Sequence, residues 1–223
     1  GGANSQDELS VVAGSSYTVS GNNLQSGGLT FATFTSTGGT LTLSFTDSGT
    51  AATQALVNDV LSRITYANSS DAPPASVTLA WIFSDGNSGA QGTGGALSTV
   101  GTTTVNITAV NDAPTIVGVP GTAQSVTLGT PAALADFTVS DADGASINLS
   151  VTLTPTNGTL GNLTDADTNT AGIQLTGTAA SINAAIAAAT FTATAAGAAS
   201  IGVSVNDGVA PAVAGTYNLS ATG

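Results

Sequence analysis

Two groups of oxygen-bearing side chains in this sequence suit the binding of a hard cation. The pair Asn111–Asp112 lies just ahead of a proline, and Asp141 and Asp143 occupy a later loop that ends in Gly144. Carboxylate and carbonyl oxygens grouped in this way are the ligands that Ca²⁺ takes, several at a time. The spacing therefore predicts two domains held by a calcium ion near their connection.

Each acidic pattern also has a simpler interpretation. Asn111 and Asp112 could form only a hydrogen-bonded turn ahead of Pro114, because Asn and Asp side chains readily bond to nearby backbone groups. Asp165 and Asp167 form a further Asp-x-Asp pattern between two predicted strands, with no third carboxylate near them in sequence. That loop fits either a solvated turn or a peripheral metal site. At both Asn111–Asp112 and Asp165–Asp167, a turn and a metal site therefore stay open as alternatives.

The balance of charge excludes several classes of partner. The chain of 223 residues has 13 acidic residues, one basic residue and a formal net charge of −12. Nucleic acid and anionic membrane surfaces are not expected as partners, because both are bound through Lys and Arg. The single basic residue, Arg63, follows Asp59 at helical spacing and is expected to pair with it. Most carboxylates must therefore be solvated, or neutralised by metal.

The missing residue types are equally informative. The chain has no Cys, His or Met, which excludes disulfides and thiolate or histidine metal sites. No His or Cys is present to act as base or nucleophile and no Lys to form a Schiff base, and the Asp pair lies on a loop without sign of a cleft, so we predict that the protein is not an enzyme. No run approaches the roughly 18 apolar residues of a membrane span, so membrane insertion is not expected. We expect an extracellular location, and interpret a chain that begins abruptly at Gly1 as a processed or excised piece of a secreted protein.

Alternating apolar and polar residues predict β-strands along most of the chain. Ser76–Ser84 is the clearest case, and Leu41–Phe45 and Ser146–Leu153 share its period of two. Trp81 lies on the apolar face of its strand and is predicted to lie in the core. Clusters of Gly, Asn, Ser and Pro separate the strands, which is typical of a β-sandwich.

Two segments depart from this pattern and indicate an internal repeat. Thr53–Tyr66 and Ser181–Phe191 carry apolar residues at helical spacing, and each is predicted to form one short helical crossover. In each half an aromatic residue, a strand, an Asp-Gly turn (Asp85–Gly86 or Asp207–Gly208) and a closing strand then follow in the same order. We therefore predict an all-β fold of two tandem sandwich domains of about 110 residues each, 1–110 and 111–223.

These features resemble the cadherin-like tandem repeats of large bacterial surface and secreted proteins. The resemblance rests on Thr108–Pro114, on Ser140–Gly144 and on the helical stretch Ala55–Asn68, and it extends over nearly the whole chain. It implies Greek-key sandwiches of the cadherin or Ig-like type, calcium at domain junctions, and a role in adhesion or surface architecture. The metal ligands that it implies are Asn111 and Asp112 in the linker, Asp141 and Asp143 in the loop, Asp207 late in the second domain, and Glu8 early in the first.

The chain also departs from the pattern of that family. The linker lacks a further Asp ahead of Asn111, and the first domain has Gly21 and Asn23 where the second has Asp141 and Asp143. The calcium loop of the first domain is therefore degenerate. One ion, or a weak site, is expected rather than a junction with three ions.

Two functions fit these observations. The first is a non-catalytic extracellular structural or adhesive module, in which calcium at the junction stiffens two cadherin-like domains. Its expected partners are neighbouring domains, copies of itself or a cell-surface ligand. The alternative is a self-assembling subunit of a bacterial surface layer, sheath or filament. The small number of charged residues would suit close packing of subunits, and unpaired sheet edges would join neighbouring copies.

Overall fold

The computed structural model describes residues 4–46, 49–85, 97–167 and 170–223 of the chain. The residues group into two compact units, Gly1–Ala109 and Val110–Gly223. Strands make up most of the regular structure in both units, and the described residues of each unit include one short helix. The predicted all-β class is confirmed.

The described residues of the first unit form three small sheets. Its elements are β1 (Asp7–Val11), β2 (Thr18–Ser20), β3 (Asn23–Ser26), β4 (Leu29–Thr37), β5 (Thr40–Phe45), α1 (Gln54–Leu61), β6 (Ile64–Asn68), β7 (Ser76–Ser84) and β8 (Ser98–Asn106). Strands β2, β3, β4 and β5 form an antiparallel meander, while β1 pairs with β6 and β7 pairs with β8. Of the predicted Asp-Gly turn in this unit, Gly86 lies outside the described residues.

Helix α1 is shorter than the sequence pattern predicts. Thr53 caps its first turn by accepting a hydrogen bond from the Leu56 backbone N–H, and the buried Leu56 and Val60 lie one turn apart. The helix ends at Leu61, and the residues beyond it form β6 instead of a further helical turn. The reason is that β6 is rich in β-branched and aromatic residues and finds a partner strand in β1.

Trp81 is not a core residue, which corrects the expectation from the strand pattern. Its side chain is 45% exposed, whereas Val77 at the start of the same strand is buried. Among the described residues β7 hydrogen-bonds only to β8, and the indole of Trp81 lies over Gly101 of that strand. Alternation along a strand shows that one face is apolar, but it does not show that another layer covers that face.

The second unit is a β-sandwich. Its elements are β9 (Thr115–Val117), β10 (Gln124–Thr127), β11 (Ala132–Ala133), β12 (Thr138–Ser140), β13 (Asn148–Thr156), β14 (Gly158–Gly161), β15 (Ile173–Thr178), α2 (Ala179–Ala188), β16 (Thr190–Ala193), β17 (Gly197–Asn206) and β18 (Val213–Thr222). One sheet has the order β10-β18-β17-β13-β15 and another the order β11-β16-β14, while β12 pairs with β9. Strand β10 joins β18 in parallel, and the other pairings are antiparallel.

One apolar core joins these sheets to helix α2. Strands β13 and β17 alternate buried and more exposed residues, so every second side chain enters the core. Phe191 of the smaller sheet and Ile182 and Ile186 of α2 belong to the same buried cluster. Neither helix in the described part of the chain is long and apolar enough to cross a membrane.

Candidate metal site in the second unit

Strand pairing brings the Asn111–Asp112 segment beside the loop of Asp141 and Asp143. Strand β9 begins shortly after Asp112, and its first residue, Thr115, pairs with Ser140 at the end of β12. Because these strands are antiparallel, the chain ahead of β9 and the chain after β12 must lie at the same end of the pair. The two sequence patterns therefore meet through the register of one short ladder.

A side chain of helix α2 holds β12 in place. The Asn183 amide accepts a hydrogen bond from the Val139 N–H at 2.8 Å and donates one to the Val139 carbonyl at 2.9 Å. These two bonds imitate the pairing of a neighbouring strand. Strand β12 is thereby fixed on both edges just ahead of the acidic loop.

The third acidic position reaches the site from the long strand β17. That strand ends at Asn206, and Asp207 begins the turn that follows it. Oδ1 of Asp207 accepts hydrogen bonds from the backbone N–H groups of Val209 and Ala210, at 2.8 and 2.9 Å. Gly208 has a φ of +86°, a conformation that glycine adopts readily. The turn thus orients the Asp207 carboxylate.

Asp141, Asp143 and Asp207 converge. Carboxylate oxygens of the three residues all lie within 4.8 Å of one another, and all three side chains are partly buried. Asn111 Nδ2 donates to Asp207 Oδ2 at 2.7 Å, and the Asp112 backbone N–H donates to Asp143 Oδ2 at 2.9 Å. All five of these predicted site residues are therefore connected in the second unit.

The electrostatics of this cluster favour a cation. The one basic residue of the chain, Arg63, belongs to the first unit, so residues 110–223 contain no Lys, Arg or His. Oδ2 of Asp141 is enclosed and has no hydrogen-bond partner, whereas Oδ1 accepts the Asp143 N–H at 2.9 Å. A buried carboxylate oxygen without a partner costs free energy unless something positive lies against it. The residues present thus fit a metal ion.

The hydrogen bonds of Asn111 keep Asp207 ionised. The amide of Asn111, followed by the backbone N–H of Val209, holds the pKa of the Asp207 carboxyl below its usual value. Hydrogen bonds donated to a carboxylate stabilise its charged form. Asp207 consequently keeps its negative charge to a lower pH than an ordinary Asp does.

The simpler interpretation of the Asn111–Asp112 pair also has a structural counterpart. Asn111 Nδ2 donates to the Asp112 carbonyl at 2.8 Å, which is the kind of local bond expected of a turn. The same nitrogen reaches Asp207, however, and that bond links residues far apart in sequence. The segment is therefore a turn and part of the acidic site at once.

Glu8, the remaining predicted ligand, lies elsewhere. It is an exposed residue of β1 in the first unit, paired with Ala67 of β6. It is not one of the three carboxylates that the structure brings together. Gly21 of the first unit corresponds in sequence to Asp141 of the second. It has a φ of +58° and lies in the turn between β2 and β3.

The structure reveals one acidic residue that sequence reasoning missed. Asp7 is only 2% exposed, and its Oδ1 accepts hydrogen bonds from the Tyr66 hydroxyl at 2.5 Å and from Asn68 Nδ2 at 2.8 Å. Oδ2 accepts the Asn4 backbone N–H at 2.7 Å. Tyr66 is the largest contributor to a lowered pKa of Asp7. No local signal in the sequence distinguishes Asp7 from the exposed Glu8 beside it.

No protein-family model matches the sequence, and no curated protein matches it either. The resemblance to cadherin-like repeats therefore stays a prediction, based on the residues quoted for it.

Proposed function

We propose that the chain is a non-catalytic structural or adhesive module of an extracellular protein, and that the second unit binds Ca²⁺ through Asp141, Asp143 and Asp207. Asn111 and Asp112 would complete the site with an amide and backbone oxygens. The protein would then belong with the cadherin-like repeats of bacterial surface and secreted proteins, which its sequence resembles.

The convergence of three carboxylates supports this proposal. Their oxygens lie within 4.8 Å of one another in a unit without basic side chains, and one enclosed oxygen of Asp141 has no partner. Ca²⁺ suits such a set because it accepts six to eight oxygen ligands in variable geometry, including carboxylates and backbone carbonyls. Zinc and softer metals are less well suited, since they prefer His and Cys, which this chain lacks.

Binding would have a mechanical effect on the linker. The Asn111–Asp112 segment hydrogen-bonds to two of the three carboxylates, so an ion bound to them would hold the segment against the loops of the second unit. An extracellular calcium module with a Kd of about 10⁻³ M gains about 0.4 kcal/mol at 1 mM Ca²⁺. A gain of this size is small for folding, but it biases the conformational freedom of a linker.

Calcium titration by calorimetry tests the proposal. EDTA-treated protein should show saturable binding, and the Asp141→Ala, Asp143→Ala double variant should lose the component of that binding that belongs to this cluster. The matched control is Asp71→Ala, Asp136→Ala, which removes two exposed carboxylates outside the cluster and should leave binding unchanged. The stiffening is measured on the same samples by ¹⁵N relaxation of the two units, whose tumbling should become more strongly coupled when calcium is added. Absence of binding at millimolar calcium would rule out the proposal.

A second candidate function, a self-assembling subunit, is favoured by the β7–β8 hairpin. This hairpin carries no charged residue within its strands, and it exposes Trp81, Phe83, Val100 and Ile82, the last of which is 76% exposed. Exposed apolar surface of this kind marks an interaction site or an aggregation hazard. Such a surface suits close packing between copies of a subunit.

Assembly is tested by electron microscopy and light scattering across a range of protein concentrations. Ordered fibres or lattices that disappear in a Trp81→Thr, Ile82→Thr variant would support a self-assembling subunit. Val209→Thr serves as the control, because Val209 is an equally exposed aliphatic residue of the second unit. Monodisperse protein at all concentrations would exclude this candidate.

A further inference from the structure

We propose a second oxygen-only cation site in the loop between β14 and β15, formed by Asp165, Asp167 and the side-chain carbonyl of Gln174 and selective for Ca²⁺ by its ligand chemistry. It shares no residue with the Asp141, Asp143 and Asp207 cluster, so it does not depend on the function proposed above. Of the two alternatives that the sequence leaves open for this loop, it chooses the peripheral metal site.

The two ends of the loop are tied together. Oδ1 of Asp165 accepts the backbone N–H groups of Asp167 at 3.1 Å and Gln174 at 2.9 Å. The Ala166 N–H donates to the Gln174 carbonyl at 2.8 Å. These bonds join the Asp-x-Asp segment to the first residues of β15 and bring the Asp165 carboxylate beside the Gln174 backbone.

Gln174 supplies the observation that points to a ligand. It is only 6% exposed, and its Oε1 is sealed from solvent without a hydrogen-bond partner. Its Nε2 donates to the Ala171 carbonyl at 3.2 Å, so the amide group turns back into the loop rather than into the apolar core. Exchanging the amide oxygen and nitrogen would set oxygen against the Ala171 carbonyl oxygen, so the orientation is determined by this contact.

A cation satisfies this loop better than a neutral donor does. The loop and the start of β15 carry two partly buried carboxylates and an unpaired amide oxygen, and the second unit offers no basic side chain to balance them. Thr170 Oγ1 donates to Asp167 Oδ2 at 2.8 Å, which adds a hydroxyl oxygen to the same group. Carboxylate, amide and hydroxyl oxygens together are a ligand set for a hard cation such as Ca²⁺. With only two carboxylates, the affinity should lie in the weak range of extracellular modules, near 10⁻³ M in order of magnitude.

The test is a calcium titration followed by ¹H–¹⁵N NMR in the Asp141→Ala, Asp143→Ala background. The Gln174 side-chain amide and the backbone amides of Asp167 and Gln174 should shift saturably. The Asp167→Asn variant keeps an oxygen for Thr170 but loses a charge, so its affinity should fall about tenfold. If the background variant does not fold, the same resonances are followed in the wild-type protein, where each site reports separately. If the site of Asp141, Asp143 and Asp207 binds no calcium, this measurement still tests the site of Asp165, Asp167 and Gln174.

A Gln174→Glu variant tests the site by strengthening calcium binding instead of weakening it. It adds a negative charge at the unpaired oxygen, so calcium should bind more tightly and should restore stability that the variant loses in EDTA. Gln124→Glu is the matched control, because Gln124 Oε1 already accepts hydrogen bonds and faces no carboxylate cluster. The proposal is overturned if the Gln174 amide does not shift with calcium, if Asp167→Asn binds as the wild type does, or if Gln174→Glu and Gln124→Glu respond alike to calcium.

Discussion

The Asp143→Asn substitution should affect the stability of the protein in opposite directions without and with calcium. Asparagine keeps an oxygen that can accept the Asp112 N–H, so the local geometry is preserved while one negative charge is lost. In EDTA the variant should be as stable as the wild type or more stable, because it removes two of the three repulsive pairs in the cluster. In calcium it should be less stable, because it loses a charged ligand.

The size of each effect follows from the geometry. Two unit charges 4.8 Å apart, the upper bound within the cluster, repel by about 0.9 kcal/mol in water, and salt reduces this value. Because 4.8 Å is the largest separation, this repulsion is the smallest at that dielectric constant, and removing two such pairs stabilises the metal-free second unit by about 2 kcal/mol. For a Kd between about 10⁻⁴ and 10⁻³ M, 10 mM Ca²⁺ stabilises the wild-type unit by about 1.4 to 2.7 kcal/mol. For a domain of about 110 residues this gain raises the melting temperature by about 6 to 12 °C.

Differential scanning calorimetry in EDTA and in 10 mM Ca²⁺ measures whether Asp143→Asn raises or lowers the stability of the second unit in each condition. The loop of Asp165 is unchanged in the two proteins, so any calcium effect from that loop cancels in the comparison. The first unit serves as an internal control, because its transition should not move with calcium. Two results would refute the reasoning: a calcium-induced shift that is as large in Asp143→Asn as in the wild type, or a wild-type protein that calcium does not stabilise.

Three further predictions concern the folded units themselves. Tyr217→Phe should cost about 1 kcal/mol in urea unfolding, because the buried hydroxyl accepts the Ala135 N–H at 2.7 Å, while that N–H retains a second acceptor in the variant; a cost near zero would contradict this. Gly158→Ala should cost about 1 to 3 kcal/mol, since its Cβ would lie 2.1 Å from the buried Phe191 ring, whereas Gly121→Ala, which meets open space, should stay within about 0.5 kcal/mol. The pKa of Asp7 is lowered chiefly by the Tyr66 hydroxyl, so its contribution to stability is complete above the unfolded pKa of about 3.9 and is lost as the pH falls through the folded pKa. Chemical unfolding of the first unit from pH 6 to pH 3 should therefore show a steeper loss in the wild type than in Asp7→Asn, and equal slopes would contradict the assignment.

Local sequence signals predicted many elements of the fold. Ser76–Ser84 forms β7 with the predicted bounds, and Arg63 Nε lies 3.8 Å from Asp59 Oδ1 as helical spacing indicates. Both helices also begin after a threonine that caps the first turn, a local signal that the predictions from sequence did not use. Period and capping are properties of neighbouring residues, so they can be recognised without knowledge of the tertiary contacts.

The limits of these signals appear at the ends of elements and at exposed faces. The predicted helix over 53–66 ends early because β1 is available to pair with β6. Trp81 is exposed because, among the described residues, β7 pairs with β8 alone. Both outcomes depend on which segments meet, and a residue pattern within one segment does not contain that information.

The sequence by itself determined the β-rich class, the acidity of the chain, and the local acidic pairs Asn111–Asp112 and Asp141-x-Asp143. The tertiary structure decided how closely Asp207 approaches Asp141 and Asp143, that Asp7 is buried against Tyr66, and that Gln174 Oε1 is left without a partner. The physical reason is the register between distant strands. Which residues lie opposite one another in β9 and β12, or at the end of β17, is set by packing of the whole unit, and a shift of one residue would turn these side chains to the other face.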